Sequence, residues 1–134
     1  MAKADTILAL DVGSARVGVA VANSIARLPS PLAILKNDDT VFDELEELIK
    51  IHDVSTVVVG LPRNMKGEET RQSEISRRFA NELAKKLKIE TVFAEESLSS
   101  KRAEEEAKAM KRTQKYLDDI AACFILEEYL KENE

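Results

Sequence analysis

Thr6-Ile7-Leu8-Ala9-Leu10 is apolar at nearly every position and runs into Asp11-Val12-Gly13. That is the pattern of a central strand covered on both faces. A second such run spans Val17–Ala22, and only Gly13-Ser14-Ala15-Arg16 separates the two. Four residues cannot hold a crossover helix, so the spacing predicts an antiparallel hairpin. A third strand is predicted over Pro31–Lys36, after the turn signal Leu28-Pro29-Ser30. The period then lengthens. Val41, Phe42, Leu45, Leu48 and Ile49 share one helical face, with Asp38-Asp39-Thr40 as caps. Val54–Val59 reads as a buried β-branched strand that stops at Gly60-Leu61-Pro62, and Ile75, Phe79, Leu83 and Leu87 mark a second helix. Ile89–Ala94 is a fifth strand. Ser99 or Ser100 caps a further helix carrying Ala103, Ala107 and Met110, and a last helix runs from about Leu117 through Ile120, Phe124 and Leu130. Three strands followed by β-α-β units predict an α/β fold, a mixed five-stranded sheet with helices on both faces, in one domain over residues 1–134.

Composition narrows the classes. At 44% hydrophobic and 34% charged residues the chain has enough apolar area to fold, which excludes whole-chain disorder. Cys123 and His52 stand alone as thiol and imidazole, so neither a disulfide framework, a Cys/His zinc cluster nor a nucleophilic triad is expected. Cys123 lies among Ile120, Phe124 and Leu126 and reads as core, and His52 reads as a contact with a helix C-terminus. No apolar run approaches the ~20 residues that span a bilayer, and Met1–Thr6 lacks the features of a secretory signal. A cytoplasmic protein without a membrane partner is expected. The net charge of −5 hides a division: residues 1–60 carry 5 basic and 9 acidic side chains, residues 61–115 carry 14 and 10, and residues 116–134 carry 1 and 6. A basic middle third leaves a polyanionic partner open, although charge alone favours solvated helix faces.

Ligands of open α/β sheets collect beyond the carboxyl ends of the parallel strands. Three acids fall there: Asp11 ends the first strand, Glu96 follows the fifth, and Asp118 opens the final helix. Carboxylates beside apolar strands are costly to desolvate without a cation, and their hard oxygens suit Mg²⁺ or Mn²⁺, which singly or as a pair activate water for phosphodiester hydrolysis. The residues alone leave a second reading open, in which Asp11 caps a turn and the other two precede or begin helices. Gly13–Gly18 with Arg16, and Gly60–Gly67, offer backbone donors for a phosphate or are plain connections.

Four ordered segments settle the comparison. Leu8-Ala9-Leu10-Asp11-Val12-Gly13-Ser14-Ala15-Arg16-Val17-Gly18-Val19-Ala20, Val59-Gly60-Leu61-Pro62 with Asn64 and Gly67, Glu96-Ser97-Leu98-Ser99-Ser100, and Asp118-Asp119-Ile120-Ala121-Ala122 with Ile125-Leu126 resemble the YqgF/RuvX family. Its members are described as Holliday junction resolvases or pre-16S rRNA nucleases. The resemblance implies an RNase H-like fold and a metal-dependent nuclease whose acids correspond to Asp11, Glu96 and Asp118, with Arg16 as the basic residue of the first motif. The chain departs from the family at Ser97, where Asp-Glu-Arg-Leu is usual and this sequence has Glu95-Glu96-Ser97-Leu98, and in a shorter, less glycine-rich segment before Asp118. Low aromatic content, 4% without Trp, leaves phosphate contacts from Arg16, Arg63, Lys66, Lys101 and Arg102 as the expected grip on structured RNA or branched DNA. Nothing in the sequence marks a dimer interface, so a monomer trimming precursor 16S rRNA ranks ahead of a junction resolvase. A non-catalytic RNase H-like ribosome-assembly factor is the further alternative.

Overall fold

The computed structural model describes residues 5–62, 66, 68–95 and 117–132, with backbone alone for Glu95 and residues 117–120. Its elements are β1 (Thr6–Val12), β2 (Arg16–Asn23), β3 (Ser30–Lys36), α1 (Val41–His52), β4 (Val54–Leu61), α2 (Arg71–Leu87), β5 (Glu90–Glu95) and α3 (Leu117–Glu132). The helix expected after Ser99 or Ser100 lies outside the described residues.

The five strands form one sheet in the order β3-β2-β1-β4-β5. β1 pairs antiparallel with β2 from Thr6↔Asn23 to Val12↔Val17, as the four-residue loop requires, and β2 pairs antiparallel with β3. β4 joins β1 in parallel, and β5 joins β4 in parallel through Leu61↔Glu95. β1 outruns its predicted end by two residues: Asp11 and Val12 remain in the ladder opposite Gly18 and Val17.

Because side chains alternate across a strand, the sheet separates two cores. One face carries Leu8, Leu10, Val12, Val17, Val19, Val57 and Val59 and is covered by Val41, Leu45, Phe79, Ala80 and Leu83 of α1 and α2. The other carries Ile7, Ala9, Ala20, Ala22, Val58 and Ala94 and is covered by Ala122, Ile125, Leu126 and Leu130 of α3. On this second face alanine predominates in the strands, and the helix supplies the bulk. Cys123 is half-buried against this cluster.

Helix ends follow local chemistry, with one difference from expectation. α2 starts in a capping box in which the Thr70 hydroxyl accepts the Ser73 N–H and the Ser73 hydroxyl accepts the Thr70 N–H. At α1 the Thr40 side chain makes no cap bond; the Asp38 carboxylate instead accepts both the Thr40 N–H at 3.0 Å and the Thr40 hydroxyl at 2.7 Å. Those bonds hold the Asp38 carboxyl below its usual pKa. Asp53 and Lys88 close α1 and α2 in the left-handed region, with φ of 52° and 50°.

Candidate active site

Asp11 stands at the carboxyl end of β1, the middle strand of the sheet. Ile7 and Ala9 belong to the core under α3, so alternation sets Asp11 on that same face, where it is half-buried. Its cross-strand partner on β2 is Gly18. On the other side, Gly60 follows Val59, the partner of Leu10. Both neighbouring strands therefore present hydrogen rather than a side chain beside the carboxylate.

The turn after Asp11 is closed by the Gly13 N–H donating to the Arg16 carbonyl at 2.8 Å. A Cβ at Gly13 would meet that carbonyl oxygen at 3.0 Å, a contact tight enough to favour glycine here. Two amide side chains grip the same turn. Asn37 Nδ2 donates to the Gly13 carbonyl at 2.7 Å, the Asn37 N–H donates to the Ala15 carbonyl at 3.0 Å, and Gln72 Nε2 donates to the Val12 carbonyl at 2.5 Å. Gln72 sits in the first turn of α2, where the Ser73 hydroxyl also donates to the Pro62 carbonyl. The loop leaving β4 and the hairpin leaving β1 thus share one helix start.

α3 runs back along the sheet. Its carboxyl-terminal end is fixed near the start of β1, where Arg27, in the turn after β2, donates to the Leu130 carbonyl, and where Leu130 shares a core with Ile7 and Ala22. The twelve residues from Leu130 back to Asp118 span about 18 Å of helix, and the five from Thr6 to Asp11 span about 17 Å of strand. The first turn of α3, with the backbone of Asp118, therefore points to the end of β1 that bears Asp11. Glu96 follows β5 directly and lies outside the described residues, as do Arg63, Lys101 and Arg102. Among the described residues no group of three or more His, Cys, Asp or Glu converges on a point that would hold a metal ion; of the three acids only the Asp11 side chain is described.

Two basic residues are set beside this face. Arg16 opens β2 and pairs across the ladder with Lys36 at the end of β3, both exposed. Arg16 is two residues from Gly18, so the pair lies on the face of Asp11. Lys36 was invisible to sequence reasoning, since only the β2–β3 register reveals it. Lys66 is exposed in the loop between β4 and α2. Arg77 lies over the Phe93 ring, 5.2 Å from its centroid, and donates to both carboxylate oxygens of Glu69 at 2.5 and 2.9 Å. That carboxylate raises the Arg77 pKa further above its usual value and ties the guanidinium to the fold. His52, at the end of α1, lines a cavity of about 270 Å³ with Leu28, Thr6 and Asn23 at the end of β1 opposite Asp11.

The same arrangement of sheet and helices is found in known resolvases. RuvC of T. thermophilus, solved in complex with a Holliday junction substrate, superposes with a TM-score of 0.60 at 14% identity, over 96% of this chain and 95% of that one. The fowlpox virus Holliday junction resolvase superposes with a TM-score of 0.56 at 15% identity, over 96% and 99%. The fold is therefore RNase H-like, of the kind these resolvases share. Sequence then narrows it: the model of the RuvX Holliday junction resolvase family matches residues 5–132, and this chain belongs to that family. A relative from Sulfurihydrogenibium sp., named "Putative pre-16S rRNA nuclease", is 37% identical over 128 residues, 92% of this chain and 88% of its own length.

Proposed function

We propose that this chain is a divalent-metal-dependent nuclease that hydrolyses phosphodiester bonds in structured nucleic acid, with precursor 16S rRNA as its substrate. The observation that carries the proposal is Asp11: a half-buried carboxylate at the carboxyl end of the central strand, flanked by Gly18 and Gly60. The glycines leave room beside it, and its hard oxygens fit Mg²⁺ or Mn²⁺.

Glu96 and Asp118 complete the set. Glu96, the residue directly after β5, matches the second acid that the family resemblance implies. The direction of α3 supports Asp118 as the third. When bound, one or two such ions supply an activated water and stabilise the leaving oxygen. Asp11 is carried by the central strand of the sheet, which would hold its carboxylate in place before substrate arrives. Arg16 and Lys36 would hold the strand by its phosphates, with Arg63, Lys66, Lys101 and Arg102 extending that contact. A single site suffices to trim RNA, so the protein acts as a monomer, whereas symmetric junction cleavage needs two sites about a two-fold axis.

The family description favours branched DNA as the second reading. Cleavage of precursor 16S rRNA and of a four-way junction, with Mg²⁺ and with Mn²⁺, by the wild type and Asp11→Asn separates the readings. The expected result is metal-dependent cleavage of the RNA that falls at least ~100-fold in Asp11→Asn, with RNA binding retained. Paired incisions in the junction by a stable dimer that spares the RNA would overturn the RNA assignment. Binding without cleavage of either substrate would indicate a non-catalytic factor.

A further inference from the structure

We propose that Gln72 and Asn37 are positioning residues for Asp11, bracing the end of β1 and the turn after it beyond the last β1–β4 pair. The inference rests on the nuclease reading above. β1 pairs with β4 only as far as Leu10↔Val59, whereas its pairing with β2 continues to Val12↔Val17. The Gly13 N–H faces the β2 side, because it donates to Arg16. Alternation then turns the Val12 carbonyl toward β4, past the last paired residue. Gln72 Nε2 meets that carbonyl at 2.5 Å, taking the place of the missing strand. On the other side, Asn37 follows the last residue of β3 and meets the Gly13 carbonyl with its side chain and the Ala15 carbonyl with its backbone, at 2.7 and 3.0 Å. A carbonyl oxygen only accepts, so in both cases the NH₂ end of the amide must face it.

The residues immediately following Asp11 are thus tied to two elements distant in sequence, one on each side of the hairpin. Neither amide reaches the reacting atoms. Their effect passes through the backbone to the direction of the Asp11 carboxylate and to Arg16 on the returning strand. Metal ligands whose supporting partners are removed typically lose about 10–100-fold in affinity or activity. The isosteres Gln72→Glu and Asn37→Asp keep the shape and remove the donor, so they isolate the hydrogen bond from packing.

The test uses the full chain as wild type, Gln72→Ala, Gln72→Glu, Asn37→Asp and Glu74→Ala. Glu74 is an exposed residue of the same helix turn, paired with Arg78, and serves as the control. Amide exchange at Gly13 should accelerate about 10-fold or more in the three variants that lose a donor and stay unchanged in Glu74→Ala. On structured RNA with Mn²⁺, kcat should fall about 10–100-fold while KM stays within about threefold. Unchanged exchange at Gly13, or loss of kcat only in proportion to loss of folded protein, would overturn the proposal. If the wild type cleaves nothing with any divalent metal, the nuclease reading fails. Positioning is then decided by Mn²⁺ titration of the backbone resonances around Asp11, with affinity weakened at least ~5-fold in the donor-less variants upholding it and equal affinity overturning it.

Discussion

Ile125→Ala tests the way α3 is seated. Ile125 is fully buried in the core between α3 and the sheet, a cluster whose strand members include Ala9, Ala20, Ala22 and Ala94. Truncating a buried Ile or Leu to Ala costs about 2–5 kcal/mol, and the cost rises with the cavity that remains. Alanines have no rotamers with which to fill the gap, and Ala9, Ala20 and Ala22 belong to strands paired on both sides, so little collapse is available. We therefore expect about 4 kcal/mol. Leu83→Ala removes the same three carbons on the opposite face. That core is lined by Leu, Val and Phe side chains, which can shift toward the space, and about 3 kcal/mol is expected. With about 2.1 cal/mol/K of unfolding entropy per residue, a 134-residue chain loses about 3.5 °C per kcal/mol, so the midpoints should fall by about 14 and 11 °C. Urea and thermal unfolding followed by far-UV circular dichroism give both numbers, with exposed Ile51→Ala as the reference. A cost below about 2 kcal/mol for Ile125→Ala, or a larger cost for Leu83→Ala, would refute the reasoning from alanine rigidity.

Three further outcomes are expected. Arg27 combines a φ of 54° with its bond to Leu130; Arg27→Ala should lose about 1 kcal/mol and Arg27→Gly less, because glycine relieves the backbone, and urea titrations showing the reverse order would contradict this. Asp38 is held below the usual carboxylate range by Thr40, so its contribution is present above the unfolded pKa and is lost as pH falls through the lowered folded value; an NMR titration of Thr40→Val should return the Asp38 carboxyl toward the ordinary range, and an unmoved midpoint would count against the assigned cause. Arg16→Ala and Lys36→Ala should each weaken RNA binding regardless of sequence and reduce the steepness of its salt dependence by about one charge, which fluorescence anisotropy at several KCl concentrations would register or exclude.

The features legible in the sequence were those written in neighbouring residues. The Gly13–Arg16 spacing fixed the β1–β2 pairing, and apolar runs located each strand within a residue or two. Asp11 stood out because a carboxylate is expensive at the end of such a run. β1 extends past the apolar run because Asp11 and Val12 stay paired with Gly18 and Val17 of β2, and Gln72, sixty residues away, meets the Val12 carbonyl on the other side. Asp38-Asp39-Thr40 read together as caps; of these, Thr40 is the N-cap without a side-chain cap bond, and Asp38 bonds the Thr40 N–H and hydroxyl. Lys36 and Arg27 gave no linear signal. One needs the β2–β3 register to reach the site, and the other needs α3 to return to the start of β1 before its guanidinium has an acceptor. The parity of Ala9, Ala20, Ala22 and Ala94 was present in the sequence and separates the two faces by side-chain volume.

That alanine face has a consequence for how the family's chemistry can vary. The thickness of the layer beneath α3 is set by residues with a single methyl group, so it acts as a fixed spacer between the strand that ends in Asp11 and the helix that begins beside Asp118. Enlarging any one of those methyls would tilt the helix, and the tilt would be greatest at its amino-terminal end, since Arg27 fastens the other. Substitutions far from the acids, at Ala20 or Ala22, would thereby retune the gap between the end of β1 and the start of α3, while Asp11 and Asp118 themselves stayed the same.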